Sequence, residues 1–208
     1  MKLFHAGCKL YGMTKISLLM ILAALGLWAW APPSWGVENG PLENLQVAVL
    51  LWGAFLSGRM AAKEDTPQGR RIWQCGTVIF LIAAAREVSW GRCFYPVGPE
   101  QFIPLNQLWY GHLVYPLLAV LLLWIAWSLV RCRFDRYMSD RTWPVWDIVI
   151  FLLCIFLSNT AEHPRHLLSG YVIPNEEVFE EAFELICYWS MAAMVRHTKI
   201  RNRPDRRE

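Results

Sequence analysis

The chain has 208 residues, a formal net charge of +3 and a mean hydropathy of +0.27, with 55% hydrophobic residues and 12 tryptophans. That length suits one domain, yet the sequence contains several apolar runs of about 20 residues, each long enough for the roughly 30 Å hydrocarbon layer of a bilayer. One soluble core of this size cannot hide them, so the composition excludes an ordinary soluble domain and points to an all-α, polytopic membrane protein.

Six spans are expected in one integral membrane domain covering residues 1–208. The first, 14–31 ("TKISLLMILAALGLWAWA"), follows Lys2, Lys9 and Lys15. Basic residues, an apolar run and "AWA" look like a secretory signal. Pro32 comes next and hinders cleavage, so the reading is an uncleaved helix. The second span, 44–60, opens on Glu43, Asn44 and Gln46 and leads into Arg59, Lys63, Arg70 and Arg71. The third, 72–90, carries Arg86 and Glu87 about one turn below Trp90. The fourth, 107–130, begins at Asn106, Gln107 and His112, and Pro116 is expected to kink it. Arg131, Arg133, Arg136 and Arg141 follow it. The fifth, 144–161, places Asp147 at the headgroup boundary and ends near Ser158, Asn159, Glu162, His163, Arg165 and His166. The sixth, 177–195, precedes a basic tail over 196–208, and Asn175 is its expected N-cap. His5 and His197 read as ordinary cytoplasmic residues. Trp28, Trp30, Trp35, Trp143 and Trp146 read as interfacial anchors.

On this map, every Lys and Arg except Arg86, Arg92 and Arg165 falls on one side. The positive-inside rule makes that side cytoplasmic and puts both termini there. A five-helix map would move the basic tail to the wrong side. Glu38, Glu43, Glu87, Glu100, Glu162, Glu176, Glu177, Glu180, Glu181 and Glu184 gather on the opposite, outer side. The basic segments are read as topology signals that touch anionic lipid headgroups, with no nucleic-acid partner. The cysteines are scattered, and only Cys93 lies in an outer loop, so no disulfide framework is implied. No phosphate loop, nucleophile elbow, CxxC or HExxH occurs, and no catalytic residue is identified.

The polar residues converge. In "NEEVFEEAFELICYW", Glu177, Glu180, Glu181, Glu184 and Tyr188 share a stripe about 100° wide on a helix. Phe179, Ala182, Phe183 and Ile186 take the other face. Glu176 and Glu177 suit the positive end of the helix, but Glu184 lies about 10 Å further along. Ionisable residues inside a membrane mark a functional site or a buried pair. The expectation is an outward-facing polar cavity with Glu87, His112, Glu180 and Glu184 at its floor and Arg86 as its cation. A divalent metal held by His112, His163, His166 and Glu184 is the cofactor that such imidazole and carboxylate donors would suit.

Four segments, "PLENLQVAVLL" (41–51), "REVSWGRCF" (86–94), "PLNQLWYGHL" (104–113) and "EEVFEEAFEL" (176–185), occur in that order. Together they resemble a group of uncharacterised bacterial polytopic inner-membrane proteins. Those have an acidic residue and "SWG" at a helix exit, an Asn/Gln-rich re-entry and a Glu-rich last helix. Arg86 stands where their pattern has the first of two adjacent acids. The resemblance implies a membrane location and a fold, not a reaction. Three functions fit these residues: a structural or partner-binding membrane component, a membrane-embedded and metal-dependent enzyme acting on a lipid or lipid-linked substrate, and a proton- or cation-linked transporter.

Overall fold

The computed structural model describes residues 6–7, 10–98, 101–139, 141–162 and 175–200. Within them the protein is all-α apart from short strand pairs. The helices are α1 (Gly12–Trp30), α2 (Pro41–Lys63), α3 (Pro67–Glu87), α4 (Gly111–Arg131), the short α5 (Phe134–Ser139), α6 (Val145–Glu162) and α7 (Glu176–His197). Three of them, α1, α2 and α4, are long and apolar enough to cross a membrane by length and composition. The apolar part of α6, residues 145–161, is shorter. Helices α3 and α7 occupy two of the expected spans but carry more charge.

Helix α7 is the hub. It packs on α1, α2 and α6, while α2 also packs on α3, and α4 lies outside on α3. Its apolar face is core, not lipid surface: Phe183 and Ile186 are each 1% exposed and meet Leu50, Cys154 and Val178. The outer helices are greasy where they face away from protein. Leu19 and Leu22 on α1, Leu117 and Leu123 on α4, and Leu152 and Phe156 on α6 are all exposed.

Small residues set the α2–α3 crossing. Gly53 is buried so closely against Phe80 that a Cβ there would sit 2.4 Å from the ring. One turn on, Ser57 donates from Oγ to the main-chain oxygen of Trp73 at 2.8 Å. Without a hydrophobic drive between helices in lipid, close backbone approach and interhelical hydrogen bonds of this kind hold such pairs together.

Several helix ends shift from the sequence reading, the start of α3 from 72 to 67 among them, and at two of them the local structure shows why. The third helix stops at Glu87, not at residue 90, because Ser89, Trp90 and Gly91 all have left-handed φ angles of 47°, 57° and 85°. That conformation costs an L-residue roughly 1–2 kcal/mol, and it turns the chain so that Tyr110 can donate to the Trp90 carbonyl at 3.1 Å. The fourth helix starts at Gly111, later than residue 107, because Leu105–Gln107 form a separate 3-10 turn. A Cβ at Gly111 would strike the Leu105 carbonyl. Asn175 does sit at the N-cap of α7, but its side chain makes no cap bond; its Nδ2 donates to the Trp28 carbonyl at 3.3 Å.

At the end of the bundle opposite to Glu87, strands β1 (Ala6–Gly7), β4 (Arg141–Pro144) and β5 (Lys199–Ile200) pair; β2 (Pro96–Gly98) and β3 (Gln101–Phe102), which follow the turn after α3, form a separate ladder. The first sheet ties both described chain ends to the start of α6.

Replacing Gly53 with Leu should force α2 and α3 apart. Overpacking of this kind costs about 1–3 kcal/mol, to be read as a lower unfolding temperature of the protein in detergent, with Gly58→Ala, whose added Cβ would make only an ordinary 3.8 Å contact with Thr77, as the tolerated control.

Candidate functional site

Four helices build one polar cluster. On α7, Glu181, Glu184 and Tyr188 are spaced so that they share a face. The start of α2, the end of α3 and the end of α6 meet that face at the same level. From α2, the fully buried Gln46 donates from Nε2 to the Glu181 main-chain oxygen at 2.9 Å and to its carboxylate at 2.6 Å. From α3, Glu87 accepts a 2.8 Å hydrogen bond from the Tyr188 hydroxyl, and both residues are buried. From α6, Ser158 donates to Glu184 at 3.5 Å, and Arg86 of α3 approaches the same carboxylate at 3.8 Å.

Magnitudes rank these contacts. The Arg86 side chain is 64% exposed, and an exposed ion pair contributes about 0–1 kcal/mol. A buried hydrogen bond to a charged group contributes about 1.5–3 kcal/mol. The neighbours Arg86 and Glu87 diverge around the helix, Glu87 inward and Arg86 outward. The pinning contact is therefore Glu87–Tyr188, not the ion pair that the sequence suggests. One buried acceptor is left over: Gln46 Oε1 has no hydrogen-bond partner.

The other expected members are placed differently. Glu180 is half-buried on the stripe, and Glu177 is exposed in the first turn of α7. His112 is exposed in the first turn of α4, a helix that packs chiefly on α3. His163 and His166 lie outside the described residues. Among the described residues, no group of three His, Cys, Asp or Glu side chains is placed to hold a metal ion.

Around the cluster, Glu38 accepts from Ser89 Oγ at 2.6 Å, which ties the loop before α2 to the left-handed turn after α3. Glu43 accepts from the Asn39 main-chain N–H. Gly36 lies against the backbone of Glu177 and Val178, where a Cβ would meet the Val178 nitrogen at 2.5 Å.

A second polar cluster, absent from the sequence reading, occupies the opposite end. Glu64, just past α2, meets Arg141 of β4 at 2.5 Å and accepts from Tyr137 at 2.9 Å and Thr66 at 3.1 Å. Burial works against the Glu64 carboxylate, but the Tyr137 hydrogen bond and the Arg141 charge outweigh it and hold its carboxyl below the usual range. Burial, then the bond to Glu64, pushes the Tyr137 phenol up and keeps it a donor. Nearby, Asp147 is fully buried and pairs with His197 at 2.8 Å. His197 is not an ordinary solvent-facing residue: it is buried, and Tyr11 stacks on its ring at 4.2 Å between centroids. These pairs join residues distant in sequence, so no local spacing could reveal them.

Comparison of the chain with protein-family models, curated proteins and solved structures finds no match.

Tyr188→Phe should lower stability by about 1–3 kcal/mol, because it strands the buried Glu87 carboxylate. Adding Glu87→Gln should recover part of that loss in a thermal-unfolding double-mutant cycle, since the neutral amide tolerates burial better. At the other end, the depressed Glu64 carboxyl contributes stability above its ordinary value near 4.5 and loses it as pH falls through the lower folded-state value. Glu64→Gln should therefore flatten the acid limb of a melting-temperature profile against pH.

Proposed function

We propose that the chain is a six-span inner-membrane protein with both termini cytoplasmic, whose polar cluster joins α2, α3, α6 and α7 and presents a partly open acidic surface to a partner on the periplasmic side. The observation that carries this reading is the inverted distribution of polarity. The acidic helix is the buried one, and the apolar helices face outward. In water such an exterior would be a large continuous sticky surface, which soluble monomers avoid. In a bilayer it is the expected surface, and charged groups turn to the bundle interior.

The six-span topology draws on the alternation of the helices and on the meeting of both described chain ends at β4. The basic residues cluster at that same end, which supports a cytoplasmic assignment under the positive-inside rule. The resemblance to uncharacterised bacterial inner-membrane proteins supports the same location. The structural role rests on Glu87–Tyr188 and Gln46–Glu181, which cross-link three helices through buried groups.

One observation favours a second reading, proton- or cation-linked transport. Gln46 Oε1 is buried without a partner beside the carboxylate of Glu181, and an incoming cation or proton would satisfy it.

Reporter tags at each terminus should both be accessible only from the cytoplasmic face, and opposite faces would end the six-span reading. In sealed vesicles the structural reading predicts no proton or cation flux. Flux that Glu181→Gln abolishes would replace it with the transport reading.

A further inference from the structure

At the end of the bundle that carries the basic residues, Trp127 in the last turns of α4 is flanked by two arginines. The guanidinium carbon of Arg71 lies 5.0 Å from the centre of its ring, and that of Arg131 lies 5.1 Å from it. The two cations are thus no more than about 10 Å apart across one indole, each attracted by the ring face. Neither makes an ion pair among the described residues: the nearby carboxylate of Glu64 is committed to Arg141.

Arg131 suits its place, since the end of a helix carries a negative partial charge. Arg71 does not. It stands just inside the start of α3, at the positive end of that dipole, next to Arg70 and with no acidic residue in the first turn. Two cations therefore meet at one indole without an ion-pair partner among the described residues. Beside them runs an apolar surface. Val120 and Leu123 share the Trp127 face of α4 and are 61% and 70% exposed.

We propose that this place binds one anionic phospholipid, its phosphate between Arg71 and Arg131 at the indole and its acyl chains along Val120 and Leu123. The proposal rests on the membrane reading above. Charge complementarity chooses the ligand class. Two arginines present a fork of donors matched to phosphate oxygens, basic pockets between membrane helices on the cytoplasmic side hold acidic headgroups, and a half-exposed Trp suits the headgroup level. A zwitterionic lipid would bring its own cation to a site that already has too many.

The test uses the full chain. Flotation with phosphatidylcholine vesicles comes first: failure to float with any vesicle would end the membrane reading and this proposal with it. Protein in a neutral detergent is then titrated with phosphatidylglycerol, phosphatidylcholine or inorganic phosphate, with bound lipid counted by native mass spectrometry and unfolding temperature followed in parallel. Phosphatidylglycerol should bind and stabilise, and the Arg71→Ala/Arg131→Ala double variant should bind it roughly thirtyfold more weakly, at about 1 kcal/mol for each arginine near a headgroup. Trp127→Leu, which keeps both charges, should also weaken it. Arg59→Ala/Lys63→Ala removes equal charge from the neighbouring end of α2 and should bind like the wild type. Equal loss in that control would mean general attraction to a basic surface and would overturn the site. Equal binding of phosphatidylcholine, or displacement of the lipid by inorganic phosphate at millimolar levels, would overturn it as well.

Discussion

The fold depends on keeping a row of carboxylates inside a helical bundle without stranding them. Like charges three and four residues apart on one helix repel, and a buried carboxylate is costly unless hydrogen-bonded. Helix α7 meets both demands by taking each donor from a different neighbour: Gln46 from α2 for Glu181, and Ser158 from α6 for Glu184. Its Tyr188 reverses the direction and serves Glu87 of α3. Each bond fixes the rotation and height of one helix against α7. Apolar side chains sliding past lipid-like surfaces could not fix either, because their contacts are non-directional.

The opposite end solves the same problem with loops. Glu64–Arg141 and Asp147–His197 link the α2–α3 turn, the start of α6 and the end of α7. A buried ion pair such as Glu64–Arg141 need not add net stability over an apolar replacement, but breaking one partner away is costly, about 3–5 kcal/mol. Specific polar contacts therefore lie at both ends, and the middle is filled by Leu50, Cys154, Phe183 and Ile186. The arrangement suits a protein whose outer surface offers no polar solvent to hold its register.

The cluster at the end of α3 is also where the chain is most constrained. Ser89, Trp90 and Gly91 turn left-handed in succession, Ser89 ties to Glu38, and Tyr110 closes over Trp90. The "SWG" segment is thus a helix terminator that sets where Arg86 and Glu87 stand. Arg86 stands at the surface within 3.8 Å of Glu184, while Glu87 serves the interior.

Helix positions were legible in the sequence because membrane-length apolar runs and the turns between them are local properties. Their periodicity also placed Glu181, Glu184 and Tyr188 on one stripe of α7. Charge asymmetry marked which ends of the chain belong together. What the sequence could not decide is which neighbour each polar group meets. Facing of Glu87 toward Tyr188 rather than toward a cation, the pairing of Gln46 with Glu181, and the burial of Asp147 against His197 depend on how helices far apart in the chain rotate and stack. Only the tertiary packing decides that, because a side chain's direction around its helix is set locally but its partner is supplied by a different segment.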